Sequence, residues 1–200
     1  MAMSHEEAKK KIQRGAFHRE VVLDVVRQYG DLLCCAQAKF HRDPEVVLAA
    51  VASSNWAMKY VDESLLEDNF ALKILEANPL ALRLLPEHCR ADPDIVLMAV
   101  AGDGRGLSFA VPALRQSEKF ALEAVQTNAD ALEFVPERLK ADADFVAVAV
   151  ARDGRALRFA APHLRRSRPL ADDAVKQCPG ALAFVGPELL DDRDFVLNAV

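Results

Sequence analysis

The sequence predicts an all-α fold, a right-handed type of α-solenoid built from helix–turn–short-helix repeats of about 25 residues. Segment 92–141 aligns with segment 142–191 without a gap, and roughly half of the aligned residues are identical. Each half of this 50-residue double repeat has two adjacent apolar residues followed by two more four positions later, which places all four on one helical face. The apolar–polar alternation of a half-buried strand is absent.

The first element of each repeat is a helix that begins at a recognisable cap. Its four-residue apolar pattern starts at Val21, Val46, Phe70, Ile95, Phe120, Phe145, Leu170 and Phe195. Asp43 and Asp92 precede a proline, and Asp142 and Asp192 stand at the same repeat position. An aspartate before the first turn accepts hydrogen bonds from free backbone N–H groups, so these four carboxylates are expected to be N-caps.

A turn and a second, shorter helix complete each repeat. Asp-Gly at 103–104 and 153–154 ends two of the first helices, and Asn78-Pro79 and Cys178-Pro179-Gly180 end two others. The segments that follow, such as ALEFVP and ALRFAAP, fit a short helix, and their prolines are expected to turn the chain toward the next repeat. Helices of about ten residues are marginal alone in water, so stacking must stabilise them.

Two regions are expected along the chain. Residues 1–16 are a polar N-terminal helix or tail, with a capping box of Ser4 and Glu7; a partner-binding helix is the alternative. Residues 17–200 form a single array of seven repeats that ends inside an eighth. Because a solenoid usually finishes with a polar capping repeat, we expect either further chain or a docked partner at the face of Phe195, Val196 and Val200.

Composition and motifs narrow the function classes. The net charge of −5 disfavours a dedicated nucleic-acid binder, and no apolar run reaches the ~18 residues of a membrane span. The N-terminus has no apolar signal region, which indicates that the protein is not secreted. The four cysteines show no CxxC pair or metal-ligand spacing, which indicates a reducing intracellular compartment, the cytoplasm or an organelle interior. We expect no cofactor, no metal and no enzyme activity, because no recognisable catalytic constellation is present.

The cysteines are expected to be packing residues rather than redox groups. Cys35 takes the repeat position of Tyr60, Phe109 and Phe159, and Cys89 takes that of Leu114 and Leu139. Both positions are interpreted as core, where a cysteine behaves as a small apolar residue.

Arginines and one tryptophan are the candidate partner-binding residues. The arginines recur at equivalent repeat positions: Arg105 with Arg155, and Arg115 with Arg165, to which Arg158 and Arg166 add charge. They either form local ion pairs with the interleaved acidic residues, or make a ladder that grips an acidic protein surface or phosphates. Trp56 occupies the position of Arg105 and Arg155, and is either an exposed hot spot or a side chain folded over its neighbours.

The tandem pattern of caps, turns and apolar positions resembles the repeat family filed as domain of unknown function 4116. The resemblance covers nearly the whole chain after residue 17 and is least close in the first repeat, where YGDLLCCAQAKF replaces DGRALRFAAPHL. It implies tandem all-helical repeats with no assigned catalytic residues. We therefore expect a non-catalytic protein–protein interaction module, a scaffold or accessory subunit. The alternatives are a solenoid that binds phosphate or RNA along its arginine edge and, third, an enzyme with an unrecognised site.

Overall fold

The computed structural model describes residues 3–15 and 17–199, and of residues 68, 198 and 199 the backbone alone. In this part of the chain the regular elements are all helical, which confirms the all-α repeat fold; the handedness of a solenoid stays a prediction. The described helices include none with the length and apolar content needed to cross a membrane. The chain separates into two compact units, Met1–Gly102 and Asp103–Val200, which we call the N-terminal and C-terminal units.

Eight opening helices define repeats 1 to 8. They are Arg19–Val26, Pro44–Ser53, Asp68–Ala77, Pro93–Gly102, Glu118–Thr127, Ala143–Arg152, Arg168–Gln177 and Arg193–Ala199. The four expected caps are confirmed: Asp43, Asp92, Asp142 and Asp192 each accept two backbone N–H groups of the following turn at 2.8–3.2 Å. The repeat period read from the sequence therefore matches the spacing of real helix starts.

The second element of repeats 1 to 7, the middle segment, is a 3₁₀ helix in six of these seven repeats. The middle segments are Gly30–Cys35, Asn55–Tyr60, Pro79–Leu84, the α-helical Gly106–Phe109, Ala129–Phe134, Gly154–Phe159 and Pro179–Phe184. A Ser, Asn or Asp before several of them accepts the N–H two residues on, as Asp153 does from Arg155 at 2.9 Å. Since the residue before a proline avoids the α region, segments that run into a proline stay short, and 3₁₀ geometry suits short pieces.

The third element, the closing segment, is an additional turn of helix where the sequence predicted only a turn. These segments are Ala38–Arg42, Glu63–Leu65, Glu87–Ala91, Pro112–Gln116, Glu137–Lys140, Pro162–Arg165 and Pro187–Leu190. A proline at the first helical position has its φ angle preset and lacks only an N–H that would be unpaired, so these prolines start a helix. Repeats 1 and 2 have no proline before the closing segment, and the closing segment of repeat 2 is the shortest.

In the N-terminal unit, the opening helices of repeats 1 to 4 pack in sequence order. The helix His5–Gly15 packs on repeat 1 and buries Ala8 and Ile12 completely. Its capping box is present: the Ser4 N–H donates to Glu7 at 2.8 Å, and the Glu7 N–H donates to Ser4 Oγ at 3.3 Å. This N-terminal helix is thus polar in composition and anchored by an apolar seam.

In the C-terminal unit, the opening helices of repeats 5 to 8 likewise pack one on the next. Leu132, Val146 and Leu157 are fully buried between helices and middle segments. Gly154 lies so close to the next opening helix that a Cβ atom there would come within 2.1 Å of the Ala174 carbonyl oxygen. The Gly154 N–H donates to Gln177 Oε1 at 2.6 Å, which ties repeat 6 to repeat 7.

Candidate interaction surface

The middle segments lie side by side within each unit and present an outer face. In a 3₁₀ helix residues three apart eclipse, so the second and fifth residues of a middle segment share that face, and in repeats 2 and 3 the sixth residue is exposed as well. In repeat 2 these are Trp56, Lys59 and Tyr60, and in repeat 3 they are Leu80, Arg83 and Leu84. We call these six residues the repeat 2–3 surface.

The last residue of the middle segment is apolar in repeats 1 to 7, and it is not core as the sequence suggested. Cys35, Phe109 and Phe159 are half-buried, and Tyr60 is exposed. The expectation that Cys35 is a core residue is therefore wrong, because the last residue of the middle segment reaches the outer face. The matching expectation for Cys89 is confirmed, since that side chain is fully buried.

Large apolar side chains cluster on the repeat 2–3 surface. Trp56 is 63% exposed, Leu84 is 40% exposed and Tyr60 is 38% exposed. The Lys59 ammonium lies 4.3 Å from the centre of the Trp56 ring, at cation–π distance. The sequence left open whether Trp56 is exposed or folded over its neighbours, and in the structure it is exposed.

A groove adjoins this surface at the junction of repeats 2 and 3. It has a volume of about 470 Å³ and is lined on its apolar side by Met58, Val61, Leu66, Leu84, Leu85 and Pro86. Lys59, Glu63 and His88 supply its polar lining. A second groove of about 610 Å³ shares Glu63, Leu66 and His88 with the first and adds Ser64, Glu67 and Asn69. The two grooves adjoin at these three shared residues, and we call them together the cleft.

The irregularity of repeat 2 accounts for the position of this cleft. Asp43 and Asp92 are 49 residues apart, whereas Asp92 and Asp142 are 50 apart, so one residue is missing here. The closing segment Glu63–Leu65 is also two residues shorter than Glu87–Ala91. Sequence reasoning missed the cleft, although the shortened spacing and the absent proline were visible.

Most of the predicted arginines are neutralised by carboxylates of the C-terminal unit. Arg105 pairs with Asp103 at 2.7 Å, Arg155 with Asp153 at 3.3 Å, Arg158 with Asp130 at 2.9 Å and Arg166 with Glu188 at 3.2 Å. The hydrogen bond from the Arg105 guanidinium lowers the pKa of the Asp103 carboxyl. For these four arginines the structure shows the local ion pairs that were one of the two predicted alternatives.

Arg115 and Arg165 differ from that group. Both lie in closing segments, are half-buried and have an Nε atom without a hydrogen-bond partner among the described residues. Neither has a carboxylate within 4.0 Å in the described part of the chain. Arg90 holds the equivalent position and shows the same unpartnered Nε.

The opening helix of repeat 8 does not present Phe195 to a partner. Phe195 is 1% exposed, so its predicted role on an open face is wrong: its ring packs into the C-terminal unit, where the Phe195 N–H donates to the Asp192 cap at 3.0 Å. Val196 is half-buried and Leu197 is 65% exposed. Val200 lies outside the described residues.

No group of three or more His, Cys, Asp or Glu side chains in the described part of the chain is arranged to hold a metal ion. His88 and His163 are exposed, and Cys178 is half-buried. What the described residues do combine is an apolar surface, a cleft and paired charges.

Successive three-element helical repeats, with surface side chains at equivalent positions, define the chain as an all-α repeat protein. It belongs to the family described as Domain of unknown function (DUF4116), whose model matches residues 18–66, 68–115 and 117–165. Each match begins at an opening helix and spans two repeats, and the helices after residue 165 continue the same pattern. No curated protein and no solved structure matches the chain.

Proposed function

We propose that this protein is a non-catalytic protein–protein interaction module, a scaffold or accessory subunit of a larger assembly, whose partner docks on the repeat 2–3 surface and its cleft. The observation that carries the proposal is the exposed Trp56. Tryptophan is enriched among the residues that dominate binding energy at interfaces. A single exposed apolar side chain needs no explanation, but Trp56, Tyr60 and Leu84 cluster beside a groove, which is the arrangement expected of a docking site.

The charges of the cleft indicate the chemistry of the partner. Glu63 and Glu67 are exposed in the cleft, and neither belongs to an ion pair within the described residues. The Lys59 ammonium group lines the groove and lies over the Trp56 ring. The fitting occupant is a peptide segment of another protein that inserts an aliphatic or aromatic side chain and carries Lys or Arg beside it.

Two variants and a matched control test the proposal. Trp56→Ala removes the exposed ring and Leu84→Asp places a charge at the groove, whereas Phe17→Ala removes an equally exposed ring (66%) outside the surface. The probes are short synthetic peptides with a central Leu or Phe, flanked by Lys, Gln or Glu. We expect Lys-flanked peptides to bind most tightly and Trp56→Ala to weaken them about 30-fold, the effect of a hot-spot residue of about 2 kcal/mol.

A pulldown from native lysate extends the test to natural partners. Proteins recovered by the wild type and by Phe17→Ala, but lost with Trp56→Ala and Leu84→Asp, support the repeat 2–3 surface. Recovery of the same proteins by all four chains, together with equal peptide binding, overturns the proposal. Circular dichroism and the melting temperature of each variant confirm that the loss does not reflect unfolding.

Phosphate or RNA binding is the second candidate, favoured by Arg115 and Arg165, whose Nε atoms have no hydrogen-bond partner among the described residues. The matched control is the double variant Arg105→Glu, Arg155→Glu, because both of those arginines already have a carboxylate partner. If this candidate holds, RNA affinity falls steeply with salt and is lost in Arg115→Glu, Arg165→Glu but largely kept in the control. RNA binding that is absent, or equal in both double variants, removes it.

A further inference from the structure

Two adjacent thiols converge at the end of the middle segment of repeat 1. The Sγ atoms of Cys34 and Cys35 lie 3.6 Å apart; Cys34 is exposed and Cys35 is half-buried. Consecutive residues of a 3₁₀ helix point about 120° apart around the axis, so their side chains do not meet by default. The close approach of these two sulfur atoms is therefore a specific feature of this turn.

A direct bond between the two sulfurs is disfavoured by the backbone. Consecutive Cα atoms across a trans peptide are about 3.8 Å apart, which is shorter than the roughly 4.4–6.8 Å found across ordinary disulfides. An atom that bridges the sulfurs removes this strain, because it accepts the separation of 3.6 Å that the turn already has.

The sulfur separation selects the geometry of the bridging atom. With bonds of about 2.3 Å to each sulfur, a separation of 3.6 Å gives an angle of about 100° at the central atom. A linear two-coordinate ion needs about 4.6 Å between the sulfurs at the same bond length. Tetrahedral zinc needs four ligands, and the described residues offer no third His, Cys, Asp or Glu ligand there. A three-coordinate, pyramidal centre with two thiolates fits.

We propose that Cys34 and Cys35 form a bidentate dithiol site for a trivalent arsenical. Two arsenic–sulfur bonds replace the two arsenic–oxygen bonds of an arsine oxide, the oxygen leaves as water with the two thiol protons, and arsenic stays trivalent. The third substituent of the arsenic projects into solvent past the exposed Cys34. Burial raises the pKa of the Cys35 thiol, so Cys34 forms the first bond and Cys35 closes the chelate.

Phenylarsine oxide is the probe, added to the full chain after reduction with a phosphine and removal of the reductant. We expect one phenylarsenic group per chain by intact mass and the loss of two titratable thiols. A dithiol such as 2,3-dimercaptopropanol reverses the reaction, and a monothiol does not. Because a chelate gains from effective concentration, Cys34→Ser and Cys35→Ser each weaken binding by about 10²-fold or more. Cys178→Ser, which alters a half-buried thiol elsewhere, binds like the wild type.

Two results overturn the site: a reduced wild type that binds no phenylarsine oxide, or a Cys34→Ser variant that binds as tightly as the wild type. Cys34 is exposed, so its replacement leaves the fold intact, and the melting temperature of that variant checks this directly. The assay does not involve the repeat 2–3 surface, so it tests the dithiol site independently of the proposed docking function.

Discussion

Replacing Gly154 by alanine probes the contact between repeats 6 and 7. The new Cβ atom would lie 2.1 Å from the Ala174 carbonyl oxygen and 3.1 Å from Gln177 Oε1. The first of these neighbours is backbone within an opening helix and cannot rotate away. Ala129 occupies the equivalent position of repeat 5, so the position itself accepts a Cβ atom, and the close approach of repeat 7 is what requires glycine here.

The size of the effect follows from the overlap. The middle segment Gly154–Phe159 must move by roughly 1 Å to restore a normal contact, and backbone shifts of this kind cost about 3 kcal/mol. For a chain of 200 residues, this lowers the melting temperature by about 6–12 °C if the chain melts in one transition.

Thermal and urea unfolding monitored by circular dichroism measure the change, with Gly180→Ala as the matched control. A Cβ atom at Gly180 meets only Cys178 Sγ, at 3.7 Å, so Gly180→Ala is expected to be neutral or stabilising by about 0.5 kcal/mol. Equal melting temperatures for Gly154→Ala and Gly180→Ala would refute the packing described between repeats 6 and 7.

Three further predictions concern a helix N-cap, a buried core residue and the pH dependence of stability. Asp142→Ala removes an N-cap that accepts two N–H groups and is expected to cost about 1 kcal/mol in urea unfolding, with most of the loss restored in Asp142→Asn. Leu132→Ala leaves a cavity at a fully buried site and is expected to cost about 2–5 kcal/mol, whereas Leu84→Ala at an exposed site stays within about 0.5 kcal/mol; equal losses would contradict the assigned burial. The Ser64 hydroxyl and Arg42 lower the pKa of Asp62 to about 2, and Arg19 lowers the pKa of Asp43. The stability that these two carboxylates contribute is therefore complete above about pH 4 and is lost as the pH falls toward 2. A urea midpoint that is flat between pH 5 and pH 2 would exclude this contribution.

The opening helices were predictable because two independent signals coincide in them. The apolar pattern at Val146 and Val150 reports the buried face, and the Asp142 cap reports the first turn. The short second element was predicted as a helix without its 3₁₀ geometry, because a six-residue apolar pattern does not distinguish three residues per turn from 3.6.

The surface was less predictable because exposure depends on neighbours that the sequence does not show. Phe195 and Leu197 stand two residues apart, yet Phe195 is buried and Leu197 is 65% exposed. The pairing of Arg158 with Asp130 joins residues 28 positions apart, which only the packing of successive middle segments brings together. The convergence of Cys34 and Cys35 likewise depends on side-chain torsions and not on the order of residues.

The packing of each opening helix on the next bears on how the chain is made. Within each unit the partner of a given helix lies about 25 residues further along, so the longest wait for a contact is the time needed to synthesise one repeat. At about 5–20 residues per second this is roughly 1–5 s, after which the apolar face of a nascent helix is covered. A chain built in this way exposes the apolar face of one helix at a time on the ribosome. A protein whose termini must meet exposes its whole core until synthesis ends.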